Sequence, residues 1–299
     1  MIPIFLTSRR GSVPVIEWPD PVGTKGTRRV LLVFDAHWDS PRCNVKLLKT
    51  HLEEAVEEGA PVILGGDTFD AQGGRWHPGR SLDGVRPEFR GEDYLDLLVS
   101  GFAEFAEFAA PNIAGMFRGN HEITICRNNN TDLTERAAER LRQSGSPVIT
   151  GGIGGWILCR LCVTKTVRLI VPVYYHHGTA GGGVASKVTR RAAMLPEAAV
   201  VVTGHTGDEY IITVCRDRVS PVTGRIWQDE QIHISSPGYS ANYDPEGSSW
   251  HSQQERPPSP VGGTWLELTV SRSYDGTRLK KSDGRLPHWK VIVNARRAK

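Results

Sequence analysis

The chain has 299 residues and a formal net charge of +3, and 39% of its residues are hydrophobic. This length can bury a sizeable core, in one large domain or two small ones. A charge this small does not by itself indicate a nucleic-acid-binding protein. No run reaches the roughly 18 to 20 apolar residues that a membrane span requires, and the first apolar patch precedes its arginines, the reverse of a secretory signal. We therefore expect a cytoplasmic protein.

The cysteines do not form the pattern of a disulfide framework. There are five of them, an odd number, and their spacing is scattered. Cys159 and Cys162 have the spacing of half a zinc site, but no second pair accompanies them. We expect buried free thiols instead.

The chain begins with an irregular segment and then alternates between strands and helices. Residues 1–28 have no clear periodicity, and we predict that they form an N-terminal arm on a single domain covering residues 29–299. An apolar run ending at Asp35 predicts a strand. Apolar residues at helical spacing then lead to Gly59, which predicts a helix with a glycine stop. A short strand ends at Asp67.

The alternation continues through the middle of the chain. A polar loop rich in Gly and Arg covers residues 71–91, and it is long enough to be functional. Helices are predicted over 92–110 and 131–143, the second with a capping box at its start. A strand ends at Asn120 between them, and two further strands end in histidines. Strands that alternate with helices predict an α/β fold.

The pattern changes after Gly207, where helices are no longer predicted. These strands form either a separate β domain or the antiparallel remainder of a second sheet. Since no long linker intervenes, we prefer one domain. The four strands cover 209–217, 225–236, 263–273 and 288–297.

Polar side chains follow five of the predicted strands, at the point where each strand ends. In open α/β sheets, ligands bind outside the carboxyl ends of the strands. Carboxylates and imidazoles together suit first-row divalent ions such as Mn, Fe, Ni or Zn better than Ca or Mg. We therefore expect a metal site at this edge. The side chains are Asp35 and His37, Asp67 and Asp70, Asn120 and His121, His176 and His177, and His205.

The order of these motifs resembles the calcineurin-like metallophosphoesterase superfamily. Asp-x-His, Gly-Asp-x-x-Asp, Gly-Asn-His-Glu, His-Gly and Gly-His follow one another between Asp35 and Gly207. The stretches over 35–43 and 174–183 are also similar to phosphoesterases of bacteriophage genomes, which would place the protein in a host cytoplasm. The resemblance implies a four-layer αββα sandwich of two mixed β-sheets flanked by helices. The strands from about residue 208 would complete the second sheet.

The resemblance also implies two divalent metal ions. Asp67 would bridge them, with Asp35 and His37 binding the first ion. The ligands of the second ion would be Asn120, His177 and His205, and His176 competes with His177 for its place.

The implied chemistry is hydrolysis of a phosphoester bond by a hydroxide that the two metal ions activate. His121 would contact the leaving oxygen as the general acid, and Asp70 would orient its ring. Arg42, Arg118 or the arginines of the 71–91 loop could bind the phosphate, because a guanidinium matches its oxygens. No motif decides between them.

This sequence departs from the family pattern at one position. Gly207 occupies the place of the second histidine of Gly-His-x-His, which is a ligand of the first metal. The first site is then weak, or Asp208 supplies the missing ligand.

We favour a phosphodiester, a nucleotide or a nucleic acid as the substrate. The alternatives are a phosphomonoesterase and a non-catalytic metal-binding member of the fold.

Overall fold

The computed structural model describes residues 3–7, 13–22, 26–71, 84–179, 181–224, 226–240, 258–273 and 288–298. The five α-helices of this part are α1 (Val45–Glu58), α2 (Tyr94–Ala106), α3 (Asn120–Asn129), α4 (Leu133–Gln143) and α5 (Val184–Met194). The strands are β1 (Ile4–Thr7), β2 (Pro14–Trp18), β3 (Thr27–Val33), β4 (Val62–Leu64), β5 (Ile113–Phe117), β6 (Ile149–Gly151), β7 (Gly154–Cys162), β8 (Arg168–His176), β9 (Val200–Thr203), β10 (Tyr210–Val219), β11 (Ile226–Ser235), β12 (Thr264–Ser273) and β13 (His288–Arg297).

The strands form two mixed sheets. The seven-stranded sheet has the order β1-β2-β7-β8-β9-β11-β10, and the six-stranded sheet has the order β13-β12-β3-β4-β5-β6. In the six-stranded sheet, β3 to β6 are parallel to one another, whereas β12 and β13 are antiparallel additions. In the seven-stranded sheet, β9 is parallel to both of its neighbours, β8 and β11. The carboxyl ends of the parallel strands therefore lie at one edge of each sheet.

Two apolar cores lie on opposite faces of the six-stranded sheet. Side chains alternate between the faces of a strand, so β3 contributes Leu31 and Val33 to one core and Val30 and Leu32 to the other. The first core lies beneath α1, α2 and α4, and the second lies between the two sheets. Burying each such side chain contributes about 2 kcal/mol to stability.

The fourth layer is α5, on the outer face of the seven-stranded sheet. Arg191 on this helix donates to Thr203 Oγ1 at the end of β9 and to the Tyr210 hydroxyl on β10. The order of layers is therefore helices, sheet, sheet, helix. The predicted α/β fold class, a four-layer αββα sandwich of two mixed sheets flanked by helices, is confirmed. None of the described helices is long and apolar enough to cross a membrane.

Helix ends follow the signals in the sequence. The Asn44 side chain accepts a hydrogen bond from Leu47 N at the start of α1, and Gly59 ends that helix in the left-handed conformation, with a φ of 61°. Asp132 accepts from Glu135 N at the start of α4. These local contacts fix where each helix begins and ends, and so where the neighbouring strands leave the sheet.

The N-terminal segment is part of a sheet rather than an arm outside it. β1 and β2 pair with each other, and β2 joins β7 in parallel. Val15, Ile16 and Trp18 are buried. The strands are only four and five residues long, too short to show a periodicity. The expected boundary at residue 28 is not a break in the fold either, because β3 begins at Thr27.

The C-terminal strands divide between the two sheets and do not complete only the second one. β10 and β11 extend the seven-stranded sheet, whereas β12 pairs with β3 and carries β13 with it. An alternating pattern predicts a strand but does not specify its partner, so this division was not predictable. Most of the 71–91 loop, residues 72–83, lies outside the described residues.

Candidate metal centre

The predicted ligands lie on loops at the carboxyl ends of five strands. β3 leads to Asp35 and His37, and β4 leads to Asp67. The loop after β5 leads into α3, which begins with Asn120 and His121. In the opposite sheet, the loops after β8 and β9 contain His177 and His205. The edges of the two sheets therefore meet at one polar cluster, as the sequence predicts.

Donor atoms of this cluster form two groups that share one residue. We call Asp35, Asp67, His177 and His205 the inner group, and His37, Asp67 and His121 the outer group. In each group, one donor atom from every residue lies within 4.8 Å of all the others. Asp67 belongs to both groups, which is the position expected of a bridging carboxylate. Asp35, however, is grouped with the two histidines expected at the second metal.

One imidazole nitrogen of the inner group is surrounded by oxygen atoms. His177 Nε2 lies 3.1 Å from Asp67 Oδ2, 3.0 Å from Asn120 Oδ1 and 3.8 Å from Asp35 Oδ1. The second Asp35 oxygen accepts a hydrogen bond of 2.7 Å from the backbone N–H of His205. The inner group thus contains the predicted ligand His177 and brings Asn120 against it.

The outer group is oriented by Asp70. His37 Nδ1 lies 3.0 Å from Asp70 Oδ1, whereas His121 Nδ1 lies 2.5 Å from the Asp70 carbonyl oxygen and 3.4 Å from its carboxylate. A carbonyl oxygen only accepts hydrogen bonds, so His121 Nδ1 carries the proton of that contact. His121 Nε2 then faces Asp67 Oδ2, 3.6 Å away. The Asp70 carboxylate orients His37 more directly than His121, for which it was predicted.

The carboxylates and imidazoles of the cluster shift one another's pKa values. Burial raises the pKa of Asp35. Burial alone would also raise the pKa of Asp67, but the charges of His121, His177 and His37 outweigh it and hold that pKa below its ordinary value. Without a metal ion, protonated imidazoles thus provide the positive charge that Asp67 requires.

The histidines divide into two classes by pKa. Burial would lower the pKa of His37 and His177, but contacts with the carboxylates raise it to about 10 and about 9 respectively. Burial and the neighbouring His177 lower the pKa of His205, which favours the neutral imidazole that a metal ion binds. Divalent cations would replace the protons held by the first two histidines and satisfy the same carboxylates.

The backbone at the predicted ligands is strained. Asp35, His37, Asp67 and His205 have φ values of 48°, 43°, 48° and 73°, in the left-handed region that L-residues seldom adopt. Such conformations cost on the order of 1 kcal/mol or more each, and they cluster at functional sites. The donor types, the shared carboxylate and this strain together fit a site for divalent metal ions.

A buried glutamate that the sequence analysis missed holds the two loops around Asp67. Glu122 is only 1% exposed, and its carboxylate accepts hydrogen bonds from Asp67 N, Phe69 N and Gly119 N at 3.1, 3.0 and 2.7 Å. A side chain at Gly119 would collide with Asp67, because its Cβ would lie 2.0 Å from Asp67 Oδ1. Glu122 is the third residue of α3, so its capping position was the available signal.

A second missed carboxylate holds Asp70. Asp39 is fully buried and accepts hydrogen bonds from Asp70 N at 2.6 Å, Ala71 N at 3.0 Å and the Tyr94 hydroxyl at 2.7 Å. Burial and the neighbouring Asp70 raise the pKa of Asp39. The only sign of Asp39 in the sequence is its position four residues after Asp35. An aspartate that merely forms a turn would also be expected there.

Six of the predicted site residues lie outside both groups: Asn120 and Asp70, which contact members of the groups, and His176, Asp208, Arg42 and Arg118. His176 Nδ1 accepts a hydrogen bond of 2.9 Å from Gly178 N, so this histidine stabilises the turn after β8. The Asp208 side chain is exposed and belongs to neither group. The Arg42 side chain is also exposed, and the Arg118 guanidinium forms an ion pair with Asp132. Phosphate binding by these two arginines stays a prediction.

Gly207 has the backbone conformation that glycine favours. Its φ is 69°, and a Cβ added at this position would have Ser259 Oγ as its nearest neighbour, 3.6 Å away. A side chain would therefore find space there but would strain the backbone. Within the described residues, no carboxylate or imidazole outside the two groups joins the outer group to replace the absent histidine.

Comparison with known proteins finds no family model and no curated protein that matches this sequence. A conserved uncharacterized protein from Streptococcus pneumoniae, described as a predicted phosphoesterase, is similar at a TM-score of 0.33 with 10% identity, over 90% of this chain and 98% of that chain. Zinc-complexed Vps29 from Entamoeba histolytica gives 0.35 with 9% identity, over 89% and 98%. GAP50 of Plasmodium gives 0.36 with 12% identity, over 88% of each chain. Similarities this distant carry no argument about activity, and the resemblance to phage proteins stays a prediction.

Proposed function

We propose that the protein is a metal-dependent phosphoesterase that hydrolyses phosphodiester bonds in a nucleotide or nucleic-acid substrate. The observation that carries this proposal is the Asp67 carboxylate, which is shared by two adjacent groups of potential ligands. A single structural metal site would need only one such group. Two groups joined by one carboxylate are the arrangement of dinuclear hydrolases.

The residues of each group fit a metal ion differently. The inner group, with Asn120 beside it, offers two carboxylates and two imidazoles in a largely buried place. The outer group offers the Asp67 carboxylate and the His37 imidazole to an ion, and the His121 imidazole lies beside them; both histidines are partly exposed. Divalent ions held there would polarise a water molecule and neutralise the charge of the phosphoryl oxygens. The partly exposed outer side is where a substrate has access.

His121 is placed to handle a proton in this reaction. Its Nδ1 donates to the Asp70 carbonyl oxygen, which fixes the ring and leaves Nε2 directed towards the cluster. A proton held on Nε2 can be delivered to the leaving oxygen of a bound phosphoester, as a general acid does. Asp39 and Glu122 position the loops that carry Asp70 and Asp67, and neither needs to touch the substrate.

The preference for a diester is supported by the Arg-rich composition of the 71–91 loop. The arginines of the last strand, β13, do not add to this support. Arg296 and Arg297 are paired with Glu267 and Glu209, so both charges are already compensated. The diester and monoester alternatives therefore have to be compared directly.

The test is hydrolysis by metal-stripped protein reloaded with Mn, Fe, Ni or Zn. Bis(p-nitrophenyl) phosphate and p-nitrophenyl phosphate are assayed in parallel, and we expect faster release of nitrophenol from the diester. Asp67→Asn protein purified in the same way controls for a contaminating phosphatase. If no metal supports hydrolysis of either substrate above the level of that control, the proposed activity is wrong.

A second candidate function is metal binding without catalysis. The observation that favours it is Gly207, since no described residue replaces the histidine that the family has there. In that case the protein would bind metal in the inner group and fail both assays. Metal content measured on the same samples separates an inactive metal-binding protein from one that was never loaded.

A further inference from the structure

The strand β10 lies at an edge of the seven-stranded sheet, far along the sheet from the N-terminal strands. It pairs with β11 over ten residues on one side, and no described strand pairs with its other side. Only the last four residues of β11 also pair with β9, so most of the β10–β11 hairpin extends beyond β9. The N–H and C=O groups along such an edge can pair with a further strand.

The other edges of the two described sheets are protected against such pairing, whereas β10 is not. β1 has four residues and β6 has three, and edges this short offer little to a partner. β13 has ten residues, but Lys290 and Arg296 are among its exposed side chains. In β10 only one exposed side chain is charged. The exposed side chains of β10 are Ile211, Thr213, Cys215, Asp217 and Val219.

This exposed row is symmetric about Cys215. Its five side chains share one face, because alternate residues of a strand point to the same side. Ile211 and Val219 are 43% and 63% exposed, and they lie four residues before and four residues after Cys215. In antiparallel pairing with a second β10 about a twofold axis at Cys215, Ile211 of each copy would lie opposite Val219 of the other. The row is therefore self-complementary, as an interface between identical chains requires.

The charges of β10 select the same axis. With the axis at Cys215, no charged residue of the strand lies opposite a like charge of the second copy. An axis at Arg216 or at Asp217 would place two identical charges opposite each other. An axis at Val214 would place Asp217 opposite the apolar Ile211. The register that pairs the apolar residues is thus also the one that avoids these unfavourable contacts.

We propose that two copies of this chain join through β10, in antiparallel pairing about a twofold axis at Cys215, and so form one continuous sheet. Main-chain hydrogen bonds provide the affinity, and the contacts between Ile211 and Val219 set the register. The partner is a second copy because the exposed row of β10 is complementary to its own reverse. β10 contains no member of the inner or outer group, so the interface does not depend on the proposed function.

The first experiment measures the mass of the full chain against its concentration by analytical ultracentrifugation, with a reducing agent present. We expect a monomer–dimer equilibrium. Val219→Lys places a charge in both apolar contacts with Ile211 and should weaken association about tenfold or more. Ile226→Lys is the matched control and should change the affinity by about twofold at most. Ile226 is 72% exposed and lies opposite Val219 within the hairpin, but on β11 and away from the edge.

Two further variants test the register by the sign of their effect. Thr213 would lie opposite Asp217 of the second copy, and this contact would occur twice. Thr213→Lys should therefore strengthen association about threefold or more, and Thr213→Asp should weaken it. A wild type that stays monomeric up to about 0.3 mM, or equal losses in Val219→Lys and Ile226→Lys, would overturn the interface. Equal effects of the two Thr213 variants would overturn the register.

The second experiment locates the axis by cross-linking in a Cys126→Ser background, where Cys215 is the one cysteine that is not buried. Diamide, which takes two electrons and two protons from a pair of thiols, should link the two copies through Cys215. Moving the thiol to position 213, with Thr213→Cys and Cys215→Ser, separates the two thiols by about 14 Å along the strands and should abolish the link. Equal cross-linking from both positions would overturn the proposed axis.

Discussion

The inner and outer groups of the candidate metal centre share Asp67 but differ in charge and in access to solvent. The inner group has two carboxylates and two imidazoles, and three of its four residues are buried. The outer group has one carboxylate, and both of its histidines are partly exposed. Structural metal sites are closed, whereas catalytic sites keep an open position. Under the proposed function, the inner group would fix its ion and the outer group would present its ion to the substrate.

The affinity for metal should also differ between the inner and outer groups. Each additional carboxylate neutralises more of the charge of a bound cation, so the inner group should hold its metal more tightly. The outer group lacks the ligand that Gly207 cannot supply, and it should load only at higher metal concentration. The four predictions below test this division, from the largest expected effect to the smallest.

The largest effect is expected from Asp67→Asn, because Asp67 is the only residue common to both groups. Losing the shared charge should remove both metals and nearly all activity. Elemental analysis of the purified variant measures the metal content. Asp208→Asn is the matched control, since Asp208 is an exposed carboxylate outside both groups. Two metals per chain in Asp67→Asn would disprove the shared role.

Replacing His121 should separate catalysis from metal binding. His121→Ala should lower turnover by about 10²- to 10⁴-fold, and the inner metal should stay bound. The loss should be smaller for a substrate with a good leaving group, because such a group needs less protonation. His176→Ala is the control, since His176 lies outside both groups. Equal losses on good and poor leaving groups would argue for phosphate binding instead of proton transfer.

The third prediction concerns pH and uses the metal-free protein. The pKa values of His37 and His177 are raised from 6.5 to about 10 and about 9, so these residues bind protons in the folded state that the unfolded chain has lost. Their contribution to stability is complete below pH 6.5 and is lost as the pH rises through 9 and 10.

The measurement is the thermal unfolding midpoint in EDTA across this range. The midpoint should fall with rising pH in EDTA and fall less with bound Mn, because metal-bound imidazoles are already unprotonated. His37→Gln should reduce the slope in EDTA. A metal-free midpoint that is constant from pH 6.5 to 9.5 would contradict the assigned protonation of these histidines.

The smallest effect is expected from Gly207→His, which introduces the histidine found at this position in the superfamily that the sequence resembles. The new imidazole adds a potential ligand, but a φ of 69° strains any residue other than glycine. The two effects oppose each other, so the affinity of the outer group should change by less than about tenfold. Calorimetric metal titration measures this affinity, and Gly207→Ala isolates the strain. A gain far above tenfold would show that the missing histidine alone sets the affinity.

The order of strands and their polar ends made the fold class and the position of the site predictable. Apolar runs that stop at Asp35, Asp67 and His177 identify carboxyl ends of strands, and parallel strands bring these ends together. This prediction requires only the direction of each strand, and it does not require the conformations of the side chains. The same reasoning could not assign Asp35 to one group, because that depends on rotamers and loop conformations.

The supporting residues were not predictable for a different reason. The position of Glu122 signals its bond to Gly119 N, but nothing near Glu122 or Asp39 specifies the backbone hydrogen bonds that they accept from loops distant in sequence. The left-handed φ values of the ligands are equally hidden, since Asp and His carry no signal for a positive φ comparable to that of glycine. Sequence patterns therefore do not predict the long-range hydrogen bonds of the backbone that support the site.

The hydrogen bond from His205 N to Asp35 connects residues that are 170 positions apart, in loops that follow strands of opposite sheets. Closing a chain segment this long is entropically unfavourable until other contacts offset it. The contact can form only after both sheets have taken their places, so the inner group should be among the last parts of the molecule to assemble. Metal binding by this group would then report that folding is complete, and metal added early to a refolding chain should not accelerate the docking of the sheets.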